Sequence, residues 1–268
     1  MALHVREARP DDLDDIAALT RRHRHQLAAW EPTYWRLAEG ADELHPLWLA
    51  HLLTSADAVA RVVVDPDPDA VVACAICVRQ PGQWFADDLA TTADERWSDA
   101  GTLLLRSLVE RPLLTCVPTK DRPRVAAARG AGWEHVADYR TLRLEAPTGP
   151  RLARTTTATP PPPPAPHTFA GAVDPSAPGA IVVSDGRGIA VASAPLPAPP
   201  VYDPGGTSCV VDRVVGPEPG DLLDEVAAAA AEAGAGQLIV VCGTADDGLR
   251  RALDDRRAGH PVEVHRAP

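Results

Sequence analysis

Two periods of apolar spacing alternate along this chain, and the places where one gives way to the other predict its elements. A short strand at His4–Ala8 leads into Pro10-Asp11-Asp12, whose aspartates cap a helix in which Leu13, Ile16, Ala17 and Leu19 recur at helical spacing. A second helical stretch is expected at Arg21–Trp30 and a third around Leu44–Leu53. The β-branched runs Ala60–Val64 and Val71–Val78, joined by Asp65-Pro-Asp-Pro-Asp69, predict a hairpin, and Trp84–Thr91 a further strand. Then come a helix Gly101–Glu110, a strand Leu113–Val117, a helix from about Pro123 to Arg129, and one or two strands over Glu134–Glu145. The order β-α-α-β-β-β-α-β-α-β-β calls for a mixed sheet in an α/β (α+β) fold.

From Ala146 to Gly179 the pattern lapses: Arg154–Thr159 is Thr-rich and Pro160–Pro164 is an unbroken proline run, the composition of a linker. Beyond it, strands are expected at Ala180–Ser184 and Ile189–Ser193, turned by Asp185-Gly186, and at Cys209–Val215. A helix Leu222–Ala233, a strand Gln237–Cys242, a helix Asp247–Arg256 and a strand near Val262–His265 complete the chain. This order repeats the first half from its second strand onward. Cys116 aligns with Cys242 at an offset of 126 (242 − 116), and Asp88 with Asp212 at 124 (212 − 88). The reading is a duplication: a domain over residues 1–145, a linker over 146–179, and a shortened copy over 180–268.

Composition narrows the partners. The formal net charge is -11, Lys120 is the only lysine and no basic run occurs, which argues against nucleic acid. No apolar stretch approaches a membrane span, and the N-terminus has no apolar leader core, so a cytoplasmic protein is expected. Among the five cysteines, Cys74 and Cys77 form a CxxC inside a strand. Residues three apart on a strand face opposite ways and cannot share a metal, so buried thiols are the reading.

The segment Asp88–Gly101, DLATTADERWSDAG, followed by the apolar helix TLLLRSLV, resembles the coenzyme A segment of GNAT (N-acetyltransferase) enzymes. The opening VREARPDDLDDIAAL and the late Gly132-Trp133 resemble the same family. The resemblance implies a GNAT-like N-terminal domain plus a shorter GNAT-like C-terminal domain, and transfer of an acyl group from acetyl-CoA to a small-molecule or peptide amine. It places the donor against Leu89, Ala90 and Thr91 of the strand, and against Arg96, Trp97, Ser98, Gly101 and Thr102 of the loop and helix start. In the family, backbone N–H groups there hold the pyrophosphate and the strand's free edge bonds the pantetheine arm. Several positions depart from the pattern. Asp99 stands for a glycine and brings negative charge toward the phosphates. Ala128 stands for a frequent tyrosine, and Lys120-Asp121 for an asparagine. The second copy keeps only Val215-Gly-Pro-Glu-Pro-Gly220 as its loop.

Asp87 and Asp88 are the candidates for the base that deprotonates the amine, against the plainer role of strand-end carboxylates. On a regular strand they face opposite sides, so one at most enters a cleft. Trp30, Tyr34, Trp35 and Trp48, with His23, His25, His45 and His51, fall in the first helices, where core packing is favoured over an aromatic acceptor site. The histidine spacings do not make a chelating pair, and no metal is expected. The rival to an acyltransferase is an inactive GNAT-like module kept for ligand binding or protein interaction.

Overall fold

The computed structural model describes residues 2–32, 35–67, 69–80, 82–108, 112–144, 172–198, 201–203 and 205–268. Most of the linker expected at 146–179, and Tyr34, lie outside them. The chain forms two compact units, one of Met1–Trp30, Leu37–His135 and Glu263–Pro268, the other of Glu31–Arg36 and Val136–Val262.

In the first unit the elements are β1 (His4–Glu7), α1 (Leu13–Trp30), α2 (Ala41–Leu52), β2 (Ala58–Asp65), β3 (Ala70–Gln80), β4 (Gln83–Thr91), α3 (Ala100–Arg106), β5 (Leu113–Pro118) and α4 (Arg122–Gly130). The two helices expected before Trp30 are one, because neither glycine nor proline interrupts them and the Thr20 hydroxyl donates to the Ile16 carbonyl at 2.8 Å. Helix α3 is shorter than its apolar run: it ends at Arg106, where the Ser107 hydroxyl donates to Leu104 O at 2.6 Å. Strands β1 to β4 are antiparallel neighbours in sequence order, and β5 joins β4 in parallel.

Both faces of this sheet are covered. Ile16, Leu19, Leu49 and Leu52 of α1 and α2 pack on Val62, Cys74, Ile76 and Ala90. On the other face Leu104, Leu105, Ala127 and Ala128 of α3 and α4 pack on Val63, Ala75, Cys77 and Leu89. Burial on both sides explains why β3 reads as a nearly unbroken apolar run. Cys74 and Cys77 fall in opposite clusters, as their spacing requires, and each is a free thiol.

The second unit contains β7 (Ile181–Ser184), β8 (Ile189–Ala192), β9 (Thr207–Val215), α5 (Pro219–Glu232), β10 (Ala235–Gly243) and α6 (Asp247–Asp255). From Val136 onward it also takes β6 (Glu134–Arg143), which runs antiparallel to β10, whereas Glu263–Arg266 of β11 (Val262–Arg266) belong to the first unit. Its β8, β9 and β10 reproduce β3, β4 and β5: an antiparallel pair, then a parallel one. The registers give one offset. The last parallel pairs are Ala86↔Thr115 and Val211↔Val240, so the copies differ by 125 (211 − 86 and 240 − 115). The partner of Asp212 is therefore Asp87, not Asp88 as the sequence alignment has it.

Candidate functional site

The distinctive feature of the first unit lies in the middle of β4. Cys77 of β3 pairs with Ala86 and Ile76 with Asp88, which leaves Asp87 as the extra residue of a β-bulge. Pairing with β5 covers Trp84↔Leu113, Phe85↔Leu114 and Ala86↔Thr115 and stops there. The Thr115 hydroxyl secures that last point by donating to Ala86 O at 3.1 Å. Beyond it β4 continues to Thr91 without β5, and a strand that loses its neighbour turns backbone N–H and C=O groups toward open space. One of these, Leu89 O, accepts a hydrogen bond from Arg124 Nη1 of α4 at 3.3 Å.

The bulge also decides where the two carboxylates go. Ala86 packs on the α3/α4 face, yet Asp88, two residues on, bonds across the other face to α2. Regular alternation forbids this, and the inserted Asp87 takes up the change of phase. Asp88 is buried, with Oδ2 at 3.0 Å from His45 Nε2. Arg24 of α1 donates through Nη1 to His45 Nδ1, and its Nη2 lies 3.4 Å from Asp42 Oδ1. Asp42 in turn meets His25 at 3.0 Å and Arg21 at 2.8 Å at the surface. Asp87 is exposed and has no hydrogen-bond partner among the described residues. Desolvation of the carboxyl, followed by the Asp88 charge, pushes it up to about 7.

The remaining residues singled out from sequence are placed as follows. Leu89 packs on the α3/α4 face and Ala90 on the α1/α2 face, while Thr91 Oγ1 donates to Ala93 O at 2.9 Å. Arg96 is held by Asp65 at 3.2 Å and Asp99 at 3.1 Å. Trp97 is buried, and its ring lies so close to Gly101 that a Cβ there would come within 2.3 Å of it. Gly101 is thus required for close packing whatever else it does. Ser98 and Thr102 donate to Glu95 O and Trp97 O, at 2.9 and 3.0 Å. Asp99 caps α3 by accepting from Ala100 N–H, so a carboxylate already occupies the start of that helix. Asp121 caps α4 and pairs with Arg124 at 2.9 Å, and burial raises its carboxyl. Lys120 Nζ donates to Trp30 O at 2.9 Å.

Sequence reasoning missed Arg24 and Arg124, and placed His45 among aromatic neighbours after setting it aside as a metal ligand on its spacing. The available signal was their place on buried stripes: Arg24 recurs with Ile16, Thr20 and Leu27, and His45 with Leu49 and Leu52. Trp35 is buried, while Trp48 stays partly exposed, with its ring 5.5 Å from His51. Among the described residues no group of three or more His, Cys, Asp or Glu is arranged to hold a metal ion.

The second unit repeats the bulge in altered form. Val191 pairs with Arg213 and Ala192 with Val211, leaving Asp212 as the extra residue, and the parallel pairing with β10 ends at Val211. Here the aspartate is buried. It accepts from Val173 N–H at 2.7 Å and from Arg213 Nε at 2.9 Å, and Arg213 Nη2 donates to Val173 O. The chain's own backbone fills the place that is open beside Asp87.

No family model and no curated protein matches the sequence. Among solved structures, a proposed acetyltransferase from Thermoplasma acidophilum superposes with a TM-score of 0.52 at 12% identity, over 98% of this chain and 98% of that one. One from Pyrococcus horikoshii gives 0.48 at 11% identity, over 99% and 89%. A GCN5-related N-acetyltransferase from Sphaerobacter thermophilus gives 0.45 at 15% identity, over 98% and 95%. With its mixed sheet, its bulged fourth strand and the parallel strand that follows, the chain is similar in fold to the Thermoplasma acidophilum protein over nearly the whole of both chains.

Proposed function

We propose that the first unit is an acyl-CoA-dependent N-acyltransferase, acting from acetyl-CoA on a small-molecule or peptide amine, with Asp87 as the general base. The carrying observation is the bulge. It sets an accessible carboxyl, poised near neutrality, at the point where β4 parts from β5.

The donor is a substrate, and the residues present suit it in part. The free edge of β4 from Asp87 to Thr91 offers backbone groups to an amide-bearing arm, and Arg96 with Ser98 lies beyond it. Asp99 opposes phosphate at the start of α3, and Arg96 has to leave one of its two carboxylates to serve as a phosphate ligand. Asp87 accepts a proton from the ammonium form of the acceptor. The neutral amine then attacks the thioester carbon, the tetrahedral adduct collapses with cleavage of the carbon–sulfur bond, and the nitrogen's second proton passes through water to the departing thiolate. Thiolate is a tolerable leaving group, so the reaction does not require the tyrosine that Ala128 replaces. Positioning and backbone dipoles carry most of the remaining advantage.

The second unit is read as non-catalytic, because Val173 and Arg213 occupy its bulge aspartate. A cytoplasmic setting belongs to the same reading and suits five free cysteines. The test is thiol release by the full chain with acetyl-CoA and a panel of amines, beside calorimetric binding of acetyl-CoA. Binding without turnover on any amine would assign the chain to the inactive alternative.

A further inference from the structure

Behind Asp87 runs a chain of buried polar groups that packing alone does not explain. Arg24, His45 and Asp88 are each nearly inaccessible, at 1%, 3% and 7% exposure, and each stands where a helix stripe or strand face would ordinarily carry an apolar side chain. Ion pairs and their hydrogen-bonded partners are costly to bury, and apolar residues of similar volume often serve stability as well or better. The geometry also fixes the state of the histidine. A guanidinium has only donors, so the contact from Arg24 Nη1 makes His45 Nδ1 the acceptor and leaves the ring's single proton on Nε2. That N–H points at Asp88 Oδ2 at 3.0 Å and fixes the position of the carboxylate.

We propose that His45 and Arg24 are positioning residues for acyl transfer. Through the Nε2–H of His45 they fix the place of the Asp88 carboxylate, next to the bulge carboxyl that receives the amine proton. This assignment rests on the transferase reading of Asp87. Asp88 is faced by His45 from α2, with Arg24 of α1 behind it, and by the Cys74 thiol from β3, which burial and then the Asp88 charge push upward. Asp42, with Arg21 and His25, closes the chain at the surface. Close by, His23 of α1 is kept neutral by burial and by the cations of Arg124, Arg22 and Arg24, so it adds no charge of its own. The Asp87 carboxyl is raised by desolvation first and by the Asp88 charge second.

The test uses the full chain and two readouts, the titration of the Asp87 carboxyl carbon by NMR and thiol release against pH. In the wild type the Asp87 midpoint is expected near 7. In Asp88→Asn, which removes the charge, and in His45→Leu, which removes the N–H that positions the Asp88 carboxylate, it falls. The acid limb of kcat/KM moves with it, while KM for acetyl-CoA stays within about twofold. His45→Gln, whose amide N–H can still reach Asp88, restores the wild-type midpoint. If His45→Leu does not fold, Arg24→Met, which removes the donor to His45 Nδ1, is read in its place, and a midpoint unchanged in it overturns the relay. An Asp87 midpoint that is the same in every folded variant overturns the relay. A shifted midpoint in a protein that releases no thiol with any amine upholds the relay and overturns the transferase reading instead.

Discussion

Asp87 and Asp212 hold the same structural place: each is the extra residue of a β-bulge, one position beyond the last pair its strand makes with the parallel strand that follows. Their surroundings differ. Asp87 is open to solvent, whereas Asp212 is buried under Val173 and Arg213. The same bulge thus carries an accessible carboxyl in the first unit and an internal brace in the second.

The first consequence is catalytic. Asp87→Asn should lower kcat/KM for amine acylation by about 10²–10⁴-fold, the usual worth of a general base, and leave acetyl-CoA binding unchanged. In the wild type, activity should fall as pH drops through about 7, because the carboxyl must be ionised to accept a proton. Thiol release across pH 5.5 to about 9 measures both. An unchanged rate in the variant would remove Asp87 from the mechanism.

The same raised carboxyl predicts a cost in stability. A group whose folded-state pKa lies above its unfolded value binds its proton more tightly when folded. Its contribution is therefore present at low pH and is lost as pH rises from the ordinary carboxylate range through about 7. Asp87→Asn should flatten that decline, so that the variant gains on the wild type between about pH 4 and 8 in urea melts. Parallel stability curves would mean that Asp87 is not perturbed.

Asp212→Ala should act on stability alone. It leaves the Val173 N–H and the Arg213 guanidinium short of a buried partner, at a cost of about 1–3 kcal/mol in chemical denaturation. Acyl transfer by the first unit should be preserved at a temperature where the variant is folded. Loss of activity in the folded variant would show that the second copy takes part in the chemistry.

At the start of α3, packing and ligand binding can be separated. Gly101→Ala sets a methyl group against the Trp97 ring and should cost about 1–3 kcal/mol. Pairing it with Trp97→Leu should recover part of that cost, because the two residues are in contact. Asp99→Asn keeps a capping side chain but removes the charge, and should tighten acetyl-CoA binding, while Arg96→Ala should weaken it. Calorimetric titration reads the last two; the reverse order of affinities would move the phosphate site away from this loop.

The succession of elements was legible along the chain because helix and strand periods are local properties. Ile16, Leu19 and Leu27 mark one face of α1, and the apolar run of β3 announces a strand buried on both sides. The likeness between the strand orders of the two units was legible for the same reason, and the pairing registers shift its alignment by one residue. The bulge was not. ADDLAT reads as an ordinary alternating strand, and only the pairing of Cys77 with Ala86 and Ile76 with Asp88 reveals the extra residue. That one residue corrected the match between the copies and turned Asp88 toward α2. Nor could spacing find the contact of His45 with Asp88 across 43 positions, or of Val173 with Asp212 across 39. Periodicity fixes which face a side chain takes relative to its near neighbours, whereas register and buried polar pairing depend on strands and helices brought together from distant sequence. In this protein the sequence alone therefore determined the elements and the repeat, and the tertiary structure decided which aspartate is open, which is braced, and what stands behind each.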